Sequence, residues 1–325
     1  MTASTTRRTT ANSAKSRIAA VGAIAVAGAL LLTGCGDQTK SKDDDSSSAS
    51  GSSKSAPLAD KLPAQIRDKG VINVGSDIAY APVEYKDDSG KAVGIDPDIA
   101  AALGKQLGVE FNFQNGKFAD LVGGLASKRY DIAMSAMTDT KDRQNGIDSD
   151  TGKKVGKGVD FVDYFTAGVS LYTNKGDDQG IKTWDDLCGK TIAVQTATFS
   201  QDLAKDQAKK CAKDGKKALK VEDFATNPEA ETRMRSKGAD VVSADYPIAA
   251  YSVKKSGGGK YFEIVGDQVE AGPYGIAVAK DNTQLRDALQ AAMTEIIKSG
   301  EYKKIIAKWG VDDGAVTESK INGGS

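Results

Sequence analysis

Residues 95–113 read IDPDIAAALGKQLGVEFNF. Ile95, Ile99, Leu103 and Leu107 recur at every fourth position, which puts them on one face of a helix. The helix should stop at Gly108, because glycine readily takes the left-handed conformation that closes a helix end. Val109 to Phe113 then reads as a strand. A helix that hands over to a strand so abruptly is the repeating unit of an α/β protein.

The alternation continues in both directions. Upstream, Leu58, Leu62 and Ile66 share a helix face, and Val71-Ile72-Asn73-Val74-Gly75 is a short apolar strand. Downstream, Leu121, Val122 and Leu125 mark a helix and Asp131 to Met134 a strand. A Gly-, Lys- and Asp-rich stretch, 144–158, precedes the apolar run Ala167 to Tyr172. The pattern then restarts with strands at Thr191–Val194, Val221–Phe224 and Val241-Val242. Helices lie between them, from Phe199 to about Cys211 and from Pro228 to Lys237. Gly275–Ala279 is a further strand. Two helices close the chain, one through Leu285, Leu289, Met293 and Ile296, the other through Tyr302, Ile305, Ile306 and Trp309. There is no internal repeat.

This order predicts βαβ units on mostly parallel strands, in two α/β lobes. The expected lobes are 58–167 plus 275–325, and 168–274. The chain is expected to cross between them at Phe161 to Gly168 and at roughly Glu270 to Tyr274. Ligands of open α/β sheets sit beyond the carboxyl ends of the strands, so the cleft between the lobes is the expected site.

Composition removes several function classes. Lys plus Arg equal Asp plus Glu at 44 each. That balance argues against a nucleic-acid partner, which calls for a basic excess. The chain has no histidine, and so lacks the commonest general base and the commonest zinc ligand. No metal and no cofactor is expected.

The first residues read as a processing segment. Arg7, Arg8, Lys15 and Arg17 precede an apolar run from Ile18 to Leu32, which is short for a bilayer span. No apolar residue follows Arg7-Arg8 closely, so the pair is ordinary n-region charge. Leu32-Thr33-Gly34-Cys35 resembles the lipobox of bacterial lipoproteins. The resemblance implies removal of residues 1–34, a diacyl lipid on Cys35, and an anchor on the outer face of the cell membrane. Residues 35–57 are rich in Ser, Gly and Asp and lack apolar periodicity, as expected of a flexible tether. Cys188 and Cys211 remain. Outside the cell they are expected to pair, with two separate buried thiols as the other reading.

The chemistry is concentrated in a few motifs. Gly75-Ser76-Asp77-Ile78-Ala79-Tyr80-Ala81-Pro82-Val83-Glu84-Tyr85 follows the first strand. Gly94-Ile95-Asp96-Pro97-Asp98-Ile99-Ala100 opens the first long helix, where Asp96 and Asp98 suit a helix N-terminus. Gly116-Lys117-Phe118-Ala119-Asp120-Leu121 precedes the next helix. Asp131 to Arg143, DIAMSAMTDTKDR, runs from a strand through small and hydroxyl residues to an arginine. Gly189 to Ser200, GKTIAVQTATFS, runs from a strand into a helix start. Ala239 to Pro247, ADVVSADYP, ends a strand on an acid.

In this order the motifs resemble the family-3 extracellular solute-binding proteins of polar-amino-acid ABC importers, which have the type II periplasmic-binding fold. The resemblance spans about 61 to 312. It implies a binding protein, not an enzyme, that captures a polar or cationic L-amino acid and delivers it to a permease and its ATPase, as a monomer. It also implies the site. Asp77 and Tyr80 lie in the cleft, Phe118 closes over the ligand, and Ser135, Ala136 and Thr138 surround the head group. Arg143 grips the α-carboxylate, for which a guanidinium fork is suited. Gln195, Thr198 and the backbone of Phe199 add donors at a helix N-terminus, and Asp245 pairs with the α-ammonium. Taken singly, these residues also allow plainer roles: packing for Tyr80 and Phe118, a surface position for Arg143, a helix cap for Asp245. The family has Phe where Val83 stands and Gly where Ala197 stands; the second change bears on the shape of the loop, because Ala resists positive φ. An enzyme on the same fold, dehydratase-like, is one alternative, and a ligand-sensing lipoprotein without an importer is another.

Overall fold

The computed structural model describes residues 56–325; the segment 1–34, Cys35 and most of the 35–57 tether lie outside them. The described chain begins with a short helix α1 (Ala64–Lys69), strand β1 (Val71–Ser76) and a small three-stranded sheet, β2 (Ala79–Tyr80), β3 (Glu84–Lys86) and β4 (Ala92–Val93). Helix α2 (Ile95–Leu107) leads to β5 (Glu110–Asn115), α3 (Leu121–Ala126), β6 (Ile132–Ala133) and α4 (Lys141–Asn145). A long strand β7 (Val159–Asn174) follows. Then come β8 (Thr191–Gln195), α5 (Phe199–Lys213), β9 (Lys220–Phe224), α6 (Asn227–Arg235), β10 (Val241–Asp245) and α7 (Tyr246–Lys255). A second long strand β11 (Phe262–Ala279) precedes α8 (Thr283–Lys298) and α9 (Glu301–Trp309).

The main sheet has eight strands in the order β5-β1-β6-β11-β7-β10-β8-β9. Strands β5, β1 and β6 run parallel and form the first lobe's end; β10, β8 and β9 form the second's. The antiparallel pair β7–β11 lies between them and serves both lobes. Central strands are covered on both faces, so β7 is buried almost continuously, without the alternation of a half-exposed strand. Edge strands β5 and β9 stay partly exposed.

Local sequence explains the element ends. Helix α2 ends at Gly108, whose φ of 72° is left-handed, as its residue type allows. Gly94, at φ 137°, precedes α2, and a Cβ there would lie 2.2 Å from the Val83 carbonyl oxygen. That close approach lets Asp96 N–H donate to Val83 O at 3.0 Å, which ties α2 to the β2–β4 sheet. Thr198 caps α5 by accepting from Gln201 N–H at 3.2 Å, and Thr226 forms a capping box with Glu229 ahead of α6. Ile95, Ile99, Leu103 and Leu107 are all buried against the core that α8 shares. Cys188 and Cys211 are joined by a disulfide, which fastens the turn after Leu187 to α5.

Several elements differ from the reading of the sequence. Leu58, Leu62 and Ile66 sit on a short 3-10 turn and α1, not on one helix. Strand β11 begins at Phe262, well before Gly275, because pairing with β7 carries it through polar residues. Helix α7 and the β2–β4 sheet carried no clear periodicity. The 144–158 stretch contains a narrow turn bridged at Ile147 and Lys154. Among the described residues no helix is long and apolar enough to cross a membrane.

Candidate ligand-binding site

The parallel strands place the site residues at their carboxyl ends. Asp77 follows β1, Ser135 and Ala136 follow β6, Gln195 ends β8, and Asp245 ends β10 and begins α7. Tyr80 comes from β2, Phe118 from a 3-10 turn before α3, and Arg143 from α4. Thr138 precedes α4, while Thr198 and Phe199 begin α5. The structure brings all of these around one small cavity, together with Glu84. Only a space the size of one water is fully clear of surrounding atoms. The polar groups therefore engage one another across the cleft.

Three contacts close it. Gln195 Nε2 donates to Asp77 Oδ2. Tyr80 Oη donates to Asp245 Oδ2 at 3.2 Å, and Asp245 N–H donates back to Tyr80 Oη at 3.3 Å. Arg143 Nη2 donates to Ala197 O at 2.9 Å, while Nη1 donates to Thr138 O at 2.6 Å. A guanidinium has five N–H donors, so three remain for a ligand. Its carbon lies 5.5 Å from the Phe118 ring centroid, within cation–π range. The 144–158 turn adds contacts at the rim: Ser149 Oγ donates to Asp202 Oδ1 at 2.7 Å, and Lys205 Nζ reaches Asp150 Oδ2 at 2.6 Å.

The electrostatics are acidic. Burial pushes the Asp77 carboxyl up to about 6, with Gln195 opposing and Glu229 adding to the rise. Burial likewise pushes Asp245 up to about 6, held back by its tyrosine neighbours and by Arg143. Buried carboxyls rise in this way when desolvation outweighs the hydrogen bonds and charges that favour the ionised form. Arg143 is pulled down from its usual range by its own burial. Asp245 occupies the N-cap position of α7, yet its side chain makes no cap hydrogen bond. Its carboxylate points to Tyr80, so the helix-cap reading does not describe it.

A second acidic layer lies behind the first. Ser135 Oγ donates to Glu84 Oε1 at 2.7 Å and accepts from Asp77 N–H at 3.0 Å. Asp96 accepts from Tyr164 Oη at 2.7 Å and from Ala136 N–H at 3.3 Å. Asp96 therefore does not serve the α2 N-terminus as expected, but holds the turn after β6. The sequence assigns Glu84 no role; its signal is one acid directly after the apolar run Ala81-Pro82-Val83. Asp98 accepts from Trp309 Nε1 at 2.8 Å, which ties α2 to α9.

Two alanines at the site hold positive φ: Ala136 at 46° and Ala197 at 62°. Ala197 thus adopts the conformation that its residue type resists. Thr198 Oγ1 is engaged with the chain itself, donating to Gln195 O at 2.7 Å. The first-turn N–H groups of Phe199 and Ser200 have no carbonyl within the helix to donate to.

Two α/β lobes joined by a pair of long strands, with charged groups from both converging on one cleft, define a ligand-binding protein of the type II periplasmic-binding fold. The model of the bacterial extracellular solute-binding proteins, family 3, matches residues 72–312, and the chain belongs to that family. An arginine-binding protein of Corynebacterium glutamicum is 29% identical over 262 residues, covering 80% of this chain and 81% of that protein. An L-cystine-binding protein of Escherichia coli K12 is 25% identical, covering 75% of this chain and 84% of that protein. The solved structure of an ancestral arginine-binding protein bound to glutamine is 34% identical with a TM-score of 0.65, covering 74% of this chain and 98% of that one.

Proposed function

We propose that this protein captures a cationic L-amino acid, with arginine the first candidate, and delivers it to an ABC permease and its ATPase. One observation carries the reading: the buried carboxyls of Asp77 and Asp245 share a single cavity with the Arg143 guanidinium. Two acids and one fixed cation complement a ligand with two cationic groups and one carboxylate. Asp245 takes the α-ammonium and Arg143 the α-carboxylate, aided by the free N–H groups that begin α5. Asp77 takes the side-chain cation, and Tyr80 and Phe118 supply aromatic walls. Ser135, Ala136, Thr138, Gln195 and Thr198 complete the lining. The arginine named for several relatives supports this choice.

The ligand enters by replacing the contacts of Arg143, Gln195 and Asp77 across the cleft. It binds both lobes, so it favours the closed form over the open one. The lobes divide at 167/168 and 274/275, where the β7–β11 register shifts between Val269 and Gly272 and again between Tyr274 and Gly275. The site is a clamp for charges, with no histidine and no activated nucleophile, which supports binding over turnover. The protein acts as a monomer at the outer face of the membrane, held by a lipid on Cys35 through the 35–57 tether.

The test is a calorimetric panel of L-arginine, L-lysine, L-histidine, L-glutamine and L-cystine on the purified protein and on Asp77→Asn. Arginine or lysine should bind tightest, and Asp77→Asn should lose the preference for a cation over glutamine. Tightest binding of glutamine or cystine, unchanged by Asp77→Asn, would refute the reading.

A further inference from the structure

Beyond the last helix the chain returns to the middle of the molecule, past the 72–312 segment that the family match covers. From Ser319 it lies along β7. Ser319 Oγ donates to Asp163 O at 2.7 Å, and Asp163 N–H donates to Lys320 O at 2.9 Å. Ile321 bridges Val162 in antiparallel fashion. Asn322 N–H donates to Phe161 O at 3.1 Å, and Phe161 N–H donates to Asn322 Oδ1 at 2.8 Å.

The next two peptide groups meet two carboxyls. Gly323 N–H donates to Asp163 Oδ2 at 3.1 Å, and Gly324 N–H donates to Asp139 Oδ2 at 2.8 Å. Asp139 is 1% exposed and sits in the turn between Thr138 and Arg143. Its other oxygen accepts from Gln144 Nε2 at 2.7 Å, and its N–H donates to Pro273 O of β11 at 2.8 Å. A Cβ at Gly324 would lie 1.9 Å from the Asp139 carbonyl oxygen, so only glycine permits this approach.

We propose that residues 319–324 form a strap that positions the Thr138–Arg143 turn against the hinge strand β7, and so sets the grip of Arg143 on the ligand; the second part rests on the ligand-binding reading above. Asp139 and Asp163 are neighbouring acids on the turn and on the hinge. Burial, with the charge of Asp139 beside it, pushes Asp163 up to about 7. Two N–H groups from the strap offset the repulsion between these carboxyls. The turn they hold carries the Thr138 carbonyl on which Arg143 Nη1 rests.

Two variants test the strap: Gly324→Ala, and a chain ended after Glu318. Amide hydrogen exchange and L-arginine affinity are read in each. Exchange should quicken at residues 138–146 and at the amides of Phe161 and Asp163, leaving β8 and β10 unchanged. Affinity should fall about tenfold. Adding Asp163→Asn to the shortened chain should restore part of the affinity, because an amide N–H can replace the lost donor to Asp139. Unchanged exchange at 138–146 and unchanged affinity would overturn the proposal. So would faster exchange throughout both lobes without rescue, which is the mark of a general stability staple. If the unaltered protein fails to bind L-arginine while exchange at 138–146 quickens as described, the ligand reading falls and the strap's hold on the turn stands.

Discussion

Tyr80 and Asp245 lie 165 residues apart in sequence, yet the tyrosine hydroxyl donates to the carboxylate at 3.2 Å and accepts from the same residue's N–H at 3.3 Å. One residue comes from the β2–β4 sheet of the first lobe and the other from the end of β10 in the second. The pair therefore exists only when the lobes meet. Tyr80→Phe keeps the ring and removes both bonds. Closure should weaken by about 1.5–3 kcal/mol, the usual range for a hydrogen bond to a charged group. Small-angle scattering without ligand should show a larger radius of gyration than the unaltered protein, and calorimetry should show weaker binding. An unchanged radius would mean that this contact does not hold the lobes.

The two site carboxyls predict a pH dependence. Burial raises Asp77 and Asp245 from 3.8 to about 6. Each holds its proton more firmly when folded, so its stabilising contribution is complete below 3.8 and is lost as pH rises through about 6. A cationic ligand requires the ionised forms, so its binding expels protons and strengthens as pH rises through the same range. Affinity for L-arginine should fall between pH 7 and pH 5, by up to about tenfold per pH unit for each group. Titration in two buffers of different ionisation enthalpy should show proton release near pH 6, and less of it in Asp77→Asn. Affinity indifferent to pH would contradict this.

The acidic layer behind the site should divide sharply by substitution. Asp96→Ala strands the Tyr164 hydroxyl and the Ala136 N–H, and should cost about 3 kcal/mol in urea unfolding. Glu84→Gln replaces a buried carboxyl that burial and Asp96 push well up with a neutral group of the same shape, and should cost under about 1 kcal/mol. Equal costs for the two would argue against a neutral Glu84.

Ala197 carries positive φ at 62°. Ala197→Gly removes a conformational penalty of about 1–2 kcal/mol and adds back about 0.4–1 kcal/mol of unfolded-chain entropy. Unfolding should show a protein slightly more stable than before. A clear loss of stability would mean that the Ala methyl makes a contact of its own.

The legible parts of the molecule were those whose signal is local. Ile95, Ile99, Leu103 and Leu107 declare α2 by spacing alone, and Gly108 ends it. Asp77, Ser135, Gln195 and Asp245 were singled out by the family resemblance of their motifs, and each lies at the carboxyl end of an apolar strand. What stayed hidden depends on contacts distant in sequence. Asp96 looks like a helix-start acid, and only Tyr164 and Ala136, brought in by β7 and β6, turn it into a buried acceptor. Residues 262–274 are too polar to read as a strand, and their pairing with β7 makes them one. The strands of the β2–β4 sheet are too short to show a period.

The central claim is the clamp, with Arg143 and Asp245 addressing the two charges of one amino acid. Calorimetry of L-arginine binding to the unaltered protein, Arg143→Ala and Asp245→Ala tests it most directly. The clamp predicts binding to the unaltered protein, at least about thirtyfold weaker in either variant. Binding of L-arginine indifferent to both substitutions would contradict it.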